Sequence, residues 1–262
     1  MRCMICDNEM SFYYNQGING RFRYYRCPGC GLVSLDYMTE SNQKKYERPS
    51  ARIERSMKDK LKTYSFIENH IPARGRMLDI GCGGGRLLQI ARDDGWIVKG
   101  IDISPHFADN VRATHNIDAV AGDFLSYEFN GEIFDLVIMR HVLEHLADPI
   151  AAMKKVHSLL APGGYGLFEF PNINSPGLRF KRWLIKNGVL RKRYHPDYTP
   201  GHRHEFSRQS FYRLAESTGF DILAWETYSS DSVWNELFTR IPVGNKARTL
   251  IRLSVHSPSF NP

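Results

Sequence analysis

Apolar residues at Ile53, Met57, Leu61, Tyr64, Ile67 and Ile71 recur at spacings of three and four, which predicts one buried face of a helix ended by Pro72 and Gly75. Beyond it the period changes again and again. RMLDIGC (76–82) is a short apolar run and predicts a buried strand, and GRLLQIARDDGW predicts a helix with Gly95 at its C-terminal turn. WIVKGIDIS (96–104) predicts a second strand, and Ser104-Pro105 then signals a helix start. DAVAGDF (118–124) and FDLVIMRH (134–141) predict strands three and four. DPIAAMKKVHSLLAPGG predicts a helix reaching Pro162-Gly163-Gly164, and YGLFEFPN (165–172) a fifth strand. After a break at 173–206, SRQSFYRLAESTGF predicts a helix capped by Ser207, and FDILAWETY a sixth strand. Strand-helix alternation of this length predicts an α/β domain with a doubly wound, mostly parallel sheet. Residues 229–262 carry a weaker pattern, with room for a seventh strand and a tail.

The pattern divides the chain into residues 1–36, a linker and helix over 37–75, a main domain over 76–230 with an insertion at 173–206, and a C-terminal segment over 231–262. No apolar run approaches the ~18 residues of a membrane-spanning helix, and the N-terminus lacks a secretory signal, so a cytoplasmic location is expected. The net charge of +7 favours acidic or phosphorylated partners, without choosing among small molecules, RNA and an anionic membrane surface.

Four of the five cysteines form two pairs, Cys3-x2-Cys6 and Cys27-x2-Cys30. A CxxC turn points two thiolates at one ion, and four thiolates suit tetrahedral Zn2+. The second pair reads CPGCG, where Pro and Gly favour the turn. The prediction is a small zinc ribbon at 1–36 holding a structural ion, since so short a segment cannot build a sufficient core. Cys82 lies in a glycine-rich loop and reads as a small loop residue, not a nucleophile.

That loop, Asp79-Ile80-Gly81-Cys82-Gly83-Gly84-Gly85-Arg86, runs from the first predicted strand onto a helix N-terminus. Its glycines allow positive φ and close approach of a ligand. A dinucleotide fingerprint would need a third glycine where Arg86 stands. Asp102 and Asp123 close the second and third strands, at the strand ends where such sheets bind ligands. Taken together, LDIGCGGG, GIDIS, AGDF and FDLVIMRHVLEHLADP resemble, in order, the motifs of class I S-adenosylmethionine (SAM)-dependent methyltransferases, over about residues 60–225. The resemblance implies a Rossmann-like methyltransferase domain in which Gly81, Gly83 and Gly85 line the methionine and ribose side of SAM. It also implies that Asp102, followed by Ile103, binds the ribose, that Asp123 and Phe124 frame the adenine, that Asp79 orders the loop or meets the SAM amino group, and that His141 lines the pocket.

The acceptor needs orientation and often loss of a proton, for which histidine is the natural base. His141, His145, His202 and His204 stand at predicted strand ends or in the insertion. His145, beside Glu144, either packs the following helix or acts in catalysis. His202 stands five residues before Ser207, which resembles a family pattern; in relatives that methylate nucleotide sugars the equivalent His follows a Glu, where this chain has Gly201. His202 is the first candidate for the base, against a role in ordering the insertion. The insertion also carries Arg179, Lys181, Arg182, Lys186, Arg191, Lys192 and Arg193, which suits a lid over a phosphorylated acceptor, a basic element for RNA or an anionic membrane, or a solvated cover.

The function expected is methyl transfer from SAM to a small-molecule, glycan or nucleotide-sugar acceptor, through oxygen. The alternatives are an RNA methyltransferase using the zinc module and basic insertion, and a SAM-binding scaffold without catalysis. Arg140-His141-Val142 departs from the Asn/Asp-Pro-Pro-aromatic motif of enzymes that methylate exocyclic base nitrogens.

Overall fold

The computed structural model describes residues 1–36, 57–187, 189, 193–228 and 246–253. Ile53, the linker from Thr39 to Ser50, Leu190, Arg191, Lys192 and most of the C-terminal segment lie outside the described residues.

In chain order the elements are β1 (Ser11–Gln16), β2 (Phe22–Arg26), β3 (Val33–Leu35), α1 (Met57–His70), β4 (Arg76–Ile80), α2 (Arg86–Asp93) and β5 (Ile97–Asp102). Then come α3 (Pro105–His115), β6 (Asp118–Ala121), β7 (Phe134–Arg140), α4 (Pro149–Leu159) and β8 (Leu160–Pro171). The chain continues through α5 (Pro176–Lys186), β9 (His204–Glu205), α6 (Arg208–Ser217), β10 (Phe220–Tyr228) and β11 (Lys246–Leu253). Seven strands form the central sheet in the order β10-β11-β8-β7-β4-β5-β6. The neighbours from β8 to β6 pair in parallel. β11 is the expected seventh strand; it slots between β10 and β8 and runs antiparallel to both. The α/β, Rossmann-like architecture expected from the alternation is the one observed.

Two details of the pattern are corrected. The helix expected to reach Pro162-Gly163-Gly164 ends at Leu159, because Leu160 turns to extended backbone (φ −88°, ψ 137°) and pairs with Phe134. The Pro-Gly-Gly run lies within β8 where its register against β7 shifts. Tyr64 and Ile67 of α1, and Ile71 just after it, are buried as expected, whereas Met57 and Leu61 are about half exposed. Asp59 and Thr63 take the inward positions instead, because polar groups of β11 and β8 await them: Lys246 Nζ lies 3.4 Å from Asp59, and Thr63 Oγ1 donates to Glu169 of β8 (2.8 Å).

Glu169 on β8 is fully buried between two guanidiniums, Arg140 Nε at 2.6 Å and Arg248 Nε at 2.5 Å. Burial alone would raise its pKa; Arg140 and Arg248 overcome that and hold it well below the usual carboxylate range. The cluster ties β7, β8, β11 and α1 together at one end of the sheet.

The N-terminal strands form a second, antiparallel sheet in the order β1-β2-β3-β9. Its fourth strand comes from the insertion, through Val33↔Glu205 and Ser34↔His204. The insertion is closed at its base, where Asn172 bridges Phe206 and Ile173 N–H donates to Phe206 O (3.1 Å). Cys3, Cys27, Cys30 and Leu32 then share one buried apolar cluster with Phe170, Phe206 and Phe211 of the main domain.

Glu169→Gln removes one charge from the buried cluster, leaving Arg140 without its paired carboxylate and Arg248 with only the half-exposed Glu226 at 3.4 Å, a change expected to cost about 3–5 kcal/mol. Urea denaturation of the variant should show a lower midpoint at an unchanged slope.

Candidate active site

The loop from β4 to α2 is built on positive φ at Gly81 (74°), Gly83 (53°) and Gly85 (73°). Space is tight at two of them: a Cβ on Gly81 would collide with Val142 Cγ2, and one on Gly85 would stand 2.7 Å from Val111 Cγ2. At Gly84 a Cβ would meet nothing within 4 Å, so the loop turns an open face outward.

Asp102 at the end of β5 holds that loop. Its Oδ2 accepts from Gly83 N–H and its Oδ1 from Ser104 N–H, both at 2.9 Å. Each oxygen keeps a lone pair for a further donor. Ile103 beside it is half-buried. The backbone of Ser104 takes the N-cap place of α3, but its hydroxyl makes no cap hydrogen bond. Asp123, just past β6, is half-buried and accepts from Leu125 N–H (3.2 Å). The Phe124 ring turns inward against Phe129, under the Lys155 ammonium, so its side chain belongs to the core.

Asp79 is buried beneath the loop, and its Oδ1 has no hydrogen-bond partner. Burial raises its pKa to about 7 against the opposing pull of Arg140 and Lys60. A buried carboxyl oxygen without a donor, an open glycine face and a carboxylate at the next strand end fit a ligand with an ammonium and a ribose, as SAM has. Cys82 Sγ would lie 2.8 Å from a Cβ on Gly100, and burial pushes its thiol up, which removes it as a nucleophile.

The segment after β7 brings the histidines together. His141 adopts φ 55°, and its N–H donates to Glu169 O (2.7 Å). Its ring turns toward Glu144, Nδ1 to Oε1 at 3.5 Å. Glu144 is 1% exposed, and neither carboxylate oxygen has a hydrogen-bond partner. Burial opposes its charge, and the neighbouring His145, His141 and His202 lower its pKa to about 2. The His145 and His202 rings stand 5.0 Å apart. Together with Gln16, Tyr24, Tyr198, Pro200, Gly201 and Glu205 they line a cavity of about 360 Å³. Since Val142 abuts Gly81, this cluster stands beside the glycine loop.

His202 is held from the N-terminal sheet. Tyr24 Oη donates to His202 O (2.8 Å), Leu35 N–H to Arg203 O (2.8 Å), and Arg203 N–H to Glu144 O (2.8 Å). His204 does not join the cluster. It is fully buried on β9, with Nδ1 3.0 Å from Ser34 Oγ, and burial lowers its pKa to about 4, so it stays neutral. Arg182, one of the basic residues expected to meet phosphate, instead pairs with Glu205 (2.7 Å) and lies over the Tyr14 ring (5.1 Å).

All four N-terminal thiols lie within 4.8 Å of one another, with Cys3–Cys30 at 3.6 Å and Cys6–Cys27 at 3.3 Å. Those separations exclude disulfides, whose sulfurs stand ~2.05 Å apart, and approach the ~3.8 Å of thiolates around a tetrahedral zinc. Gly31 N–H closes the second turn on Cys27 O (2.9 Å), and Cys30 N–H points at Cys27 Sγ (3.4 Å). The cluster fits a small zinc-binding module. Ser207 Oγ, which also caps α6, reaches Cys30 O (3.5 Å), and Gln209 reaches Gly29 O (3.2 Å).

The pattern in the sequence singled out His145 and His202 but underweighted Glu144, whose only signal is an acid between Leu143 and His145 in an otherwise apolar turn. Gln16, Tyr24 and Tyr198 gave no signal, because only tertiary pairing brings them to the cavity.

This sheet order with a ligand loop after β4 defines a class I SAM-dependent methyltransferase fold. The methyltransferase domain family matches residues 50–224, and the chain belongs to that family. Among solved structures, a SAM-dependent methyltransferase from Methanosarcina mazei superposes with a TM-score of 0.58 at 20% identity, covering 74% of this chain and 99% of that one. Magnesium protoporphyrin IX methyltransferase from Synechocystis, with bound SAH, gives 0.56 at 17% identity, over 75% and 82%. In sequence, a protein of Coxiella burnetii named ubiquinone biosynthesis O-methyltransferase is 30% identical over 169 residues, 60% of this chain and 69% of that protein. Its namesake from Ralstonia nicotianae is 30% identical over 164 residues, 59% and 64%. No described helix is long and apolar enough to cross a membrane.

The tie from the thiol cluster through β3 and β9 to His202 predicts an outcome for Cys27→Ser. If the cluster holds zinc and the β4 loop holds SAM, the variant should contain less zinc by elemental analysis and its turnover should fall at least ten-fold, while calorimetric SAM affinity changes less than three-fold.

Proposed function

We propose that this enzyme transfers the methyl group of SAM to a hydroxyl oxygen of a small acceptor bound in the cavity between the N-terminal sheet and the insertion. The observation that carries the reading is that cavity, walled by His145 and His202 beside the glycine loop. Tyr24, Tyr198 and Pro200 suit a flat ring, and Gln16, Glu205 and the two imidazoles suit its polar edge. The O-methyltransferase names of the relatives support oxygen as the acceptor atom. They favour neither a glycan nor a nucleotide sugar, and the commitment of Arg182 to Glu205 removes one of the cations expected to meet a phosphate.

In this reading Gly81, Gly83 and Gly85 cradle the methionine portion of SAM, Asp79 meets its ammonium, Asp102 its ribose hydroxyls, and Ile103 and Asp123 flank the adenine. Cys3, Cys6, Cys27 and Cys30 hold a structural zinc. The imidazoles of His145 and His202, backed by the Glu144 carboxylate, favour loss of the acceptor's hydroxyl proton. The oxygen then attacks the methyl carbon; the C–O bond forms, the C–S bond breaks, and the electron pair stays on sulfur as S-adenosylhomocysteine. The residues serve mainly to hold the acceptor in line with the methyl group.

Asp79 gives this assignment a pH signature. Its carboxyl is half protonated near pH 7 without ligand, and an ammonium beside it would favour the ionised form. SAM binding at pH 6 should therefore release a proton, and affinity should rise with pH and level off above about 7. Calorimetry in buffers of different protonation enthalpy reads this directly, and Asp79→Asn should abolish it.

Incubation with labelled SAM and separate pools of hydroxylated aromatic compounds, sugar nucleotides and RNA tests the acceptor class. Label is expected in the aromatic pool, with kcat at least a hundred-fold lower in His202→Ala at unchanged SAM affinity; label in RNA or sugars alone would overturn the reading.

A further inference from the structure

Glu144 has an unusual position for a charged group. It is buried, both oxygens lack hydrogen-bond partners, and three imidazoles surround it. A carboxylate so placed is strongly unfavourable without a compensating positive charge. The orientation of His145 narrows what that charge is. Its Nδ1 lies 2.6 Å from Gly201 O, so Nδ1 donates to the carbonyl. The neutral ring then carries its lone pair on Nε2, which faces Glu144 Oε1 at 3.9 Å. A carboxylate oxygen and an imidazole nitrogen placed in this way can share one cation.

One ligand atom each of Glu144, His145 and His202 lies within 4.8 Å of the other two. A cation ~2.1 Å from each would need them to draw in slightly, within the reach of side-chain rotation. A backbone carbonyl holding the distal nitrogen of an imidazole is also the support that metal-binding histidines typically have. We propose that Glu144, His145 and His202 form a divalent-cation site, separate from the four-cysteine cluster, and that its open positions face the acceptor cavity. Two imidazoles and one carboxylate suit a borderline first-row ion such as Co2+ or Zn2+ best, accept Mn2+ more weakly, and suit Ca2+ least. His141, with a buried Nε2 that has no hydrogen-bond partner, stands beside the same carboxylate, its Nδ1 3.5 Å from Glu144 Oε1.

This inference rests on the O-methyl-transfer reading for its chemistry, but not for its existence. An acceptor hydroxyl bound at the open position would lose its proton to solvent more readily, because the cation stabilises the alkoxide or phenolate. The oxygen that attacks the methyl carbon would then be held in place, while His145 and His202 remain ligands and need not carry the proton.

Mn2+ is the probe, since a thiolate cluster prefers zinc and binds manganese poorly. Zinc-loaded protein saturated with S-adenosylhomocysteine is titrated with Mn2+, and unbound ion is followed by electron paramagnetic resonance. One Mn2+ per chain is expected for the wild type, with affinity at least ten-fold weaker in Glu144→Gln and in His202→Ala, at unchanged zinc content. His202 is only half-buried, so its variant keeps the test decisive if Glu144→Gln fails to fold. No Mn2+ binding to the wild type would overturn the site, as would binding unchanged in His202→Ala. Turnover that survives a chelator mild enough to spare the zinc would overturn the catalytic role. Mn2+ binding that the variants weaken, without transfer to any hydroxyl pool, would uphold the cation site and reject the O-methylation reading instead.

Discussion

Backbone pairing of Val33 with Glu205 and Ser34 with His204 brings together parts of the chain about 170 residues apart. Around it, Tyr24, Leu35 and Glu144 each bond to the backbone of residues 202 and 203. Without that pairing the insertion would keep its base and isolated contacts such as Tyr198 with Gln16, but the backbone at His202 would lose the strand that fixes it opposite His145. The thiol cluster matters for the same reason. It closes the turn from which β3 departs, and β3 in turn receives β9. What looks like an accessory module in the sequence is structurally the far wall of the cavity.

The central sheet meets a different constraint. Its ligand end must be open and polar, while the strands themselves are buried on both faces. The chain separates these demands in space. Leu78, Val137 and Ile138 fill the strand interiors, and the charged groups appear at or after the strand ends, as Asp79, Asp102, Arg140 and Glu144. The buried charges differ in how they are compensated. Glu169 is fully paired by two guanidiniums and a hydroxyl, which marks it as structural. Asp79 and Glu144 keep oxygens without a hydrogen bond, and both stand beside the ligand loop or the cavity. For these two carboxylates, the unmet polar demand lies where ligands would be received.

The sequence by itself determined the α/β alternation, because buried parallel strands and amphipathic helices impose different apolar periods that survive any rearrangement of neighbours. It also determined the glycine loop with Asp102 and Asp123 at successive strand ends, and the two CxxC turns, since each is a local arrangement of chain geometry. It misplaced the end of α4, where a local Pro-Gly-Gly signal yielded to pairing of Leu160 with Phe134, and half of the α1 face, where Asp59 and Thr63 answered to residues of β11 and β8. Tertiary structure alone decided that β9 joins the N-terminal sheet, that His202 meets His145 and Glu144 while His204 is buried against Ser34, and that Tyr24 of the N-terminal sheet and Tyr198 of the insertion share one cavity. Those contacts join residues with no common period or spacing, and only the closed fold brings them within reach.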